Sequence, residues 1–177
     1  MKLSGVRVAF VVADEFEDLE YHVPRMRLLE EGASVVTAAA KIGTYTGKGG
    51  LSAEATVTTA SLEASAFDAA LIPGGWAPDK MRRDPALLEF LRQMRVQKKI
   101  QGYICHAGWV AASAGLLERG RPVTGSLGIK DDMIAHGAVW RDEAAFRDGD
   151  LVWGRVVADI PDFCRELVRA LERFSRL

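Results

Sequence analysis

The chain has 177 residues, with 23 Lys and Arg against 24 Asp and Glu and a formal net charge of −1. That length suits a single domain, 1–177, with a real core. The balanced charge, with no polybasic stretch, argues against nucleic acid or an anionic membrane as partner, and no apolar segment is long enough to span a bilayer.

Residues 6–12 (VRVAFVV) form an apolar run of the kind found in a strand buried on both faces. The run ends at acids without a small-residue cleavage site, so it reads as a first strand rather than a signal peptide. Residues 17–31 follow as an amphipathic helix, with Leu19, Val23, Met26 and Leu29 near helical spacing. Gly32 is its stop, and Pro24 marks a kink or a late start. A second strand covers 33–39. The segment 43–50 (GTYTGKGG) has the wrong spacing for a phosphate loop, and no helix follows it, so with the alternation around 53–57 it reads as a hairpin.

A third core strand covers 67–73 and ends in Gly74-Gly75. Residues 85–97 form a helix with Leu87, Leu88, Leu91 and Met94 inward. A strand at 100–105 precedes a helix at 107–117. Short strands are expected at 122–124 and 138–140, a two-residue turn at Asp148-Gly149 before a strand near 151–152, and a closing helix over 159–177. Strands alternating with helices define an α/β fold, a mostly parallel central sheet with helices on both faces. Sites in such sheets gather at the carboxyl ends of the strands, where residues 14–20, 74–79 and 105–106 should meet.

The most informative stretch is 101–108 (QGYICHAG). A strand that turns sharply into a helix projects the turn residue from the top of the sheet and aims free helix N–H groups at whatever it attacks. Cys105 stands at that turn, where the helix dipole is expected to lower its pKa. His106 follows as a base, acid or counter-ion. Cys164 lies beside Phe163 and Leu167 and reads as packing. The two cysteines make neither a disulfide framework nor a metal set, and His22 and His136 read as surface or satisfied histidines. Lys130-Asp131-Asp132 reads as helix capping. Trp76 suits either a pocket wall or aromatic packing.

Four motifs in order, DEFEDLE (14–20), IPGGWAPD (72–79), ICH (104–106) and GIKDDMI (128–134), resemble those of the DJ-1/ThiJ/PfpI superfamily, nearest its PfpI-type branch. The resemblance runs along essentially the whole chain. It implies a flavodoxin-like, class I glutamine amidotransferase-like sandwich with Cys105 as nucleophile and His106 as its partner. It also implies Glu20 as the acid touching the thiol, Glu17 as a companion acid, and the N–H groups of Gly75 and His106 as the oxyanion site. Asp79 falls where PfpI-type proteins usually place a Glu that reaches the His of a neighbouring subunit, so a homodimer or larger homo-oligomer is expected. Acids near a helix start also complement its dipole, a reading open for Glu17 and Glu20, and Asp79 equally suits a turn or N-cap. The elbow reads Cys-His-Ala-Gly where the family commonly has Cys-His-Gly-Pro. Ser126 and Leu127 replace a usual aromatic and Pro, and Val157 replaces a Pro.

A carboxylate beside a thiolate is a like-charge pair, which makes Glu20 the expected proton holder. The expected function is a cytoplasmic cysteine hydrolase, without cofactor or metal, acting on peptides, amides, small carbonyls or glycated proteins in a stress response. The other reading is a redox-sensing or chaperone-like stress protein whose Cys105 is oxidised without turnover. A glutamine amidotransferase would want a His-x-Glu pair after the Cys, and His136 is followed by Gly-Ala.

Overall fold

The apolar run near the N-terminus becomes β1 (Arg7–Val11), and its residues from Val8 to Val11 are all buried. The computed structural model describes residues 1–174, so the last three positions of the expected closing helix lie outside the described residues. After β1 come α1 (Asp18–Glu30), β2 (Ser34–Ala39), a hairpin of β3 (Gly43–Thr46) and β4 (Ser52–Ala55), and β5 (Val57–Thr58). The middle of the chain forms β6 (Ala69–Ile72), α2 (Ala77–Met81), α3 (Pro85–Val96), β7 (Ile100–Ile104) and α4 (Gly108–Ser113). Then follow β8 (Pro122–Val123), α5 (Lys130–Ala135), β9 (Val139–Trp140), β10 (Ala145–Asp148), β11 (Leu151–Gly154) and α6 (Ile160–Phe174).

Seven strands form one sheet in the order β10-β11-β7-β6-β1-β2-β5. Every pairing in it is parallel except β10 with β11. The chain winds outward from β1 through β2 and then returns to lay β6 on the other side of β1. That reversal opens a crevice at the carboxyl ends of β1 and β6, where ligands bind in sheets of this kind. Helices cover both faces, because successive strand residues point opposite ways. Gln101 Nε2 donates to the Leu91 carbonyl of α3 at 3.2 Å, while a Cβ at Gly102 would lie 2.9 Å from Leu167 Cδ2 of α6.

The structure departs from the sequence reading in three places. Helix α1 runs through Pro24, burying Glu20, Tyr21, Pro24 and Leu28. Its expected apolar face is turned outward, with Leu19 46 %, Val23 39 %, Met26 62 % and Leu29 40 % exposed. The inward face joins the polar Asp18 and Glu20 to Tyr21 and Leu28, which belong to the hydrophobic core. Helix α4 stops at Ser113, short of 117, because Gly115 takes φ +73° and turns the chain. Asp79, read either as an acid reaching a neighbouring subunit's His or as a turn or N-cap residue, lies inside α2, a helix the pattern did not signal.

Candidate active site

The elbow is built at the end of β7. Cys105 has φ +60°, a left-handed conformation uncommon outside glycine and one that clusters at functional sites. It starts a short turn, Cys105–Ala107, that leads into α4. The Cys105 carbonyl accepts from Ser126 N at 3.1 Å. The kink brings two consecutive side chains together, with Cys105 Sγ 3.2 Å from His106 Nδ1. The backbone N–H groups of Gly75 and His106 lie near enough to the sulfur to favour its charge.

Behind the thiol stands Glu20, fully buried. One carboxyl oxygen, Oε2, accepts from Gly74 N at 2.7 Å, and Oε1 has no hydrogen-bond partner of good geometry. The approach needs glycine, because a Cβ at Gly74 would lie 2.6 Å from Glu20 Oε2 and 2.7 Å from Cys105 Cβ. Gly75 has φ +74°, and its Cβ would collide with the Glu15 carbonyl and Glu17 amide. Burial pushes the Glu20 carboxyl up to about 7, against the pull of the Gly74 N–H.

The thiol does not follow the expected direction. Burial first, and then the Glu20 charge, push Cys105 up to about 12, although the His106 and Gly75 N–H groups pull it down. The helix-start amides therefore act as the sequence suggests, but burial and the neighbouring carboxylate outweigh them. When Glu20 carries its proton the repulsion disappears, and its O–H can donate to sulfur.

Glu17 stands at the residue before α1, makes no capping hydrogen bond, and pairs with Lys48, Oε2 to Nζ 2.7 Å. Lys48 lies in the loop 47–51 of the β3–β4 hairpin, and Asp18 holds that loop in place. Gly49 N and Leu51 N donate to the Asp18 carboxylate at 2.6 and 2.7 Å. Burial opposes charge on Asp18, but these bonds keep its carboxyl below the ordinary range. The Lys48 ammonium favours charge on Cys105 and Glu20 and disfavours it on His106. The sequence reading recognised the hairpin and missed Lys48, whose one signal was a single cation in a glycine-rich tip.

Two indoles pack near His106, with ring centroids 5.5 Å away for Trp76 and 5.4 Å away for Trp109. Burial, and then Lys48, hold its imidazole below the usual histidine range. An open cleft of about 590 Å³ lies beside these groups, lined by Asp14, Glu15, Glu17, Thr46, Lys48 and Trp76 among others. Asp79 takes no part within the chain, as its carboxylate pairs with Arg83 one turn on. Cys164 is buried in α6. Among the described residues no group of three or more His, Cys, Asp or Glu is placed to hold a metal, and no helix is long and apolar enough to cross a membrane.

A mostly parallel sheet with a thiol on a strand-to-helix elbow defines a class, and the sequence match defines the family. Residues 6–170 match the DJ-1/PfpI family, and the chain belongs to it. A deglycase of Pyrococcus horikoshii is 41 % identical over 167 residues, 94 % of this chain and 100 % of its own length. General stress protein 18 of Bacillus subtilis is 36 % identical over 96 % of this chain and 99 % of its own. Among solved structures, a two-domain protein of Anabaena variabilis with DJ-1/ThiJ/PfpI-like and ferritin-like domains superposes with a TM-score of 0.91 at 38 % identity. That match covers 94 % of this chain and 48 % of the Anabaena protein.

Proposed function

We propose that the protein is a cysteine-dependent hydrolase of carbon–nitrogen bonds at carbonyl carbons, of deglycase type, with Cys105 as nucleophile and His106 as proton carrier. The observation that carries this reading is the 3.2 Å approach of His106 Nδ1 to Cys105 Sγ on a left-handed elbow. On an amide, sulfur adds to the carbonyl carbon, the carbonyl π pair moves to oxygen, and the thiol proton passes to His106 Nδ1; on a methylglyoxal hemiaminal the C–N bond breaks at the carbinol carbon as its hydroxyl becomes an aldehyde, and the sulfur adds to that aldehyde carbon. The Gly75 and His106 N–H groups that face the sulfur also face charge developing beside it. His106 then protonates the leaving nitrogen as the C–N bond breaks, and water cleaves the C–S bond to restore the thiol. Glu20, protonated, leaves the thiolate unopposed.

The same reading makes the protein a cytoplasmic homo-oligomer with a stress-response role that acts on glycated proteins, peptides or small carbonyl compounds. The outward stripe of Leu19, Val23, Met26 and Leu29 supports self-association. One observation favours redox sensing as a second reading: the buried Glu20 carboxyl, which interacts with the Cys105 side chain, is placed to bond an oxidised sulfur. The test is release of free amine from methylglyoxal-treated Nα-acetyl-lysine and Nα-acetyl-arginine, with intact-mass analysis after mild peroxide. Release by the native protein and none by Cys105→Ser supports the hydrolase. No release, with stoichiometric oxidation at Cys105, transfers the assignment to redox sensing.

A further inference from the structure

Among the described residues Trp76 is the only aromatic side chain left mainly exposed, at 55 %. Aromatic rings hold a fold together through the area they remove from water, so the open part of this indole does little for stability. Its place is set by the backbone. The segment 74–76 that follows β6 lies against 15–17 that follow β1. Trp76 N donates to the Glu15 carbonyl at 2.9 Å, Glu17 N donates to the Gly74 carbonyl at 3.2 Å, and Phe16 and Gly75 form an isolated antiparallel bridge. The φ of +74° at Gly75 lets the chain make this approach. The indole is thereby delivered to the open cleft of about 590 Å³, together with Asp14, Glu15 and Glu17. That cleft adjoins the reacting pair, since the Trp76 and His106 ring centroids are 5.5 Å apart.

Two of the three carboxylates in the cleft already have a cation. Glu17 pairs with Lys48 at 2.7 Å. Glu15 pairs with Lys80, whose ammonium also donates to the Asp14 carbonyl at 3.1 Å. Asp14 differs. Its Oδ1 accepts from Thr46 N at 3.0 Å, and among the described residues no Lys or Arg pairs with its carboxylate. The cleft therefore joins an exposed indole to one negative charge that no neighbour cancels. A cationic group is attracted both by the quadrupole of an indole and by a carboxylate, whereas a neutral group of the same shape gains neither.

We propose that Trp76 and Asp14 form a specificity subsite for a cationic group beside the scissile bond, so that carbonyl adducts carried on arginine are cleaved in preference to neutral ones. The proposal rests on the hydrolase reading above and names the substrates that reading selects. Arginine suits the subsite because its planar guanidinium stacks on an aromatic ring while its edge N–H groups remain free to donate to a carboxylate. A guanidinium also keeps its charge when one nitrogen carries a hemiaminal, since the other two nitrogens share the proton.

Substrates that differ only in charge test this. Methylglyoxal adducts of Nα-acetyl-arginine and of Nα-acetyl-citrulline, its neutral urea counterpart, are compared by release of the parent compound, with Cys105→Ser as the blank. The native protein should favour the arginine adduct in kcat/KM about five- to thirtyfold. Asp14→Asn, which keeps an oxygen for the Thr46 N–H, and Trp76→Leu should each bring that ratio toward one, and Trp76→Phe should retain part of it. Binding is read without turnover by nitrogen-15 NMR of Cys105→Ser. There the Trp76 indole N–H, one of four in the chain and assigned by Trp76→Leu, should shift saturably with Nα-acetyl-arginine and not with Nα-acetyl-citrulline. An unchanged ratio in both variants, or equal indole shifts with the two compounds, overturns the subsite. So does an indole signal that answers only to protein concentration, which would place a second copy of the chain over Trp76. Indole shifts with arginine but no Cys105-dependent release would leave the subsite standing and overturn the hydrolase instead.

Discussion

His106 Nδ1 meets the sulfur of Cys105, its own neighbour in sequence, at 3.2 Å. Adjacent residues in extended chain point apart; these two converge because Cys105 adopts φ +60°. The pair therefore depends on a backbone conformation as much as on two side chains. Replacing Cys105 by Ser should abolish turnover, and His106→Ala should lower kcat about 10²- to 10⁴-fold, with thermal melting of both variants close to native. Full activity in either variant would remove that residue from the mechanism.

Glu20 makes stability fall as pH rises. Its carboxyl is raised from 4.5 to about 7 in the folded protein, so between those values the folded state holds a proton that the unfolded state has lost. This contribution is fully present below about 4.5 and is lost as pH climbs through 7, amounting to about 3 kcal/mol in all. Denaturant titrations across that range should show the decline in the native protein and a flatter profile in Glu20→Gln. Parallel profiles would mean that Glu20 is ionised throughout.

The same carboxylate should slow alkylation of the thiol. Removing its charge in Glu20→Gln should shift the pH profile for iodoacetamide at Cys105 to lower pH and speed the reaction at pH 8. Cys164, buried in α6 with its thiol also pushed up by burial, should stay unlabelled until the protein unfolds. Equal labelling of the two thiols in the native protein would contradict the elbow.

Lys48 should act in the opposite sense to Glu20. Its ammonium favours the thiolate and disfavours the imidazolium, so Lys48→Ala should move the Cys105 profile to higher pH and raise the pKa of His106. Lys48→Arg should restore both. The melting temperature should change little, since the hairpin loop is held by backbone donors to Asp18. A fall in stability with no change in either titration would make Lys48 a structural residue only.

Gly74 should tolerate no side chain. Its Cβ would fall within van der Waals distance of both Glu20 and Cys105, so Gly74→Ala should cost about 1–3 kcal/mol of stability and separate the carboxyl from the thiol. Calorimetry with the Cys105 alkylation profile reads both effects. A stable variant with native thiol reactivity would show that the close approach is dispensable.

Much of this was legible in the chain because it is encoded locally. The unbroken apolar run from Val8 to Val11 and the helical spacing of Leu87, Leu91 and Met94 each report a backbone period and formed as read, while the turn expected at Asp148-Gly149 formed one residue later, at Gly149-Asp150. The Gly74-Gly75 pair and the Cys105-His106 step are short motifs whose geometry is set within a few residues, so their place at the carboxyl edge of a parallel sheet followed from strand–helix alternation. Other features depend on which surfaces meet. Leu19, Val23 and Met26 share a face at helical spacing whether that face is inward or outward, and the core packing of Tyr21 and Leu28 together with the bonds from Asp18 and Glu20 to distant loops turned it outward. Lys48 reaches the site from a segment 57 positions away from Cys105, and spacing carries no record of such a meeting. The thiol pKa was decided the same way. The helix terminus is a local feature that the sequence declares, while burial and a carboxylate from the other side of the sheet are tertiary, and at Cys105 the tertiary forces are the larger.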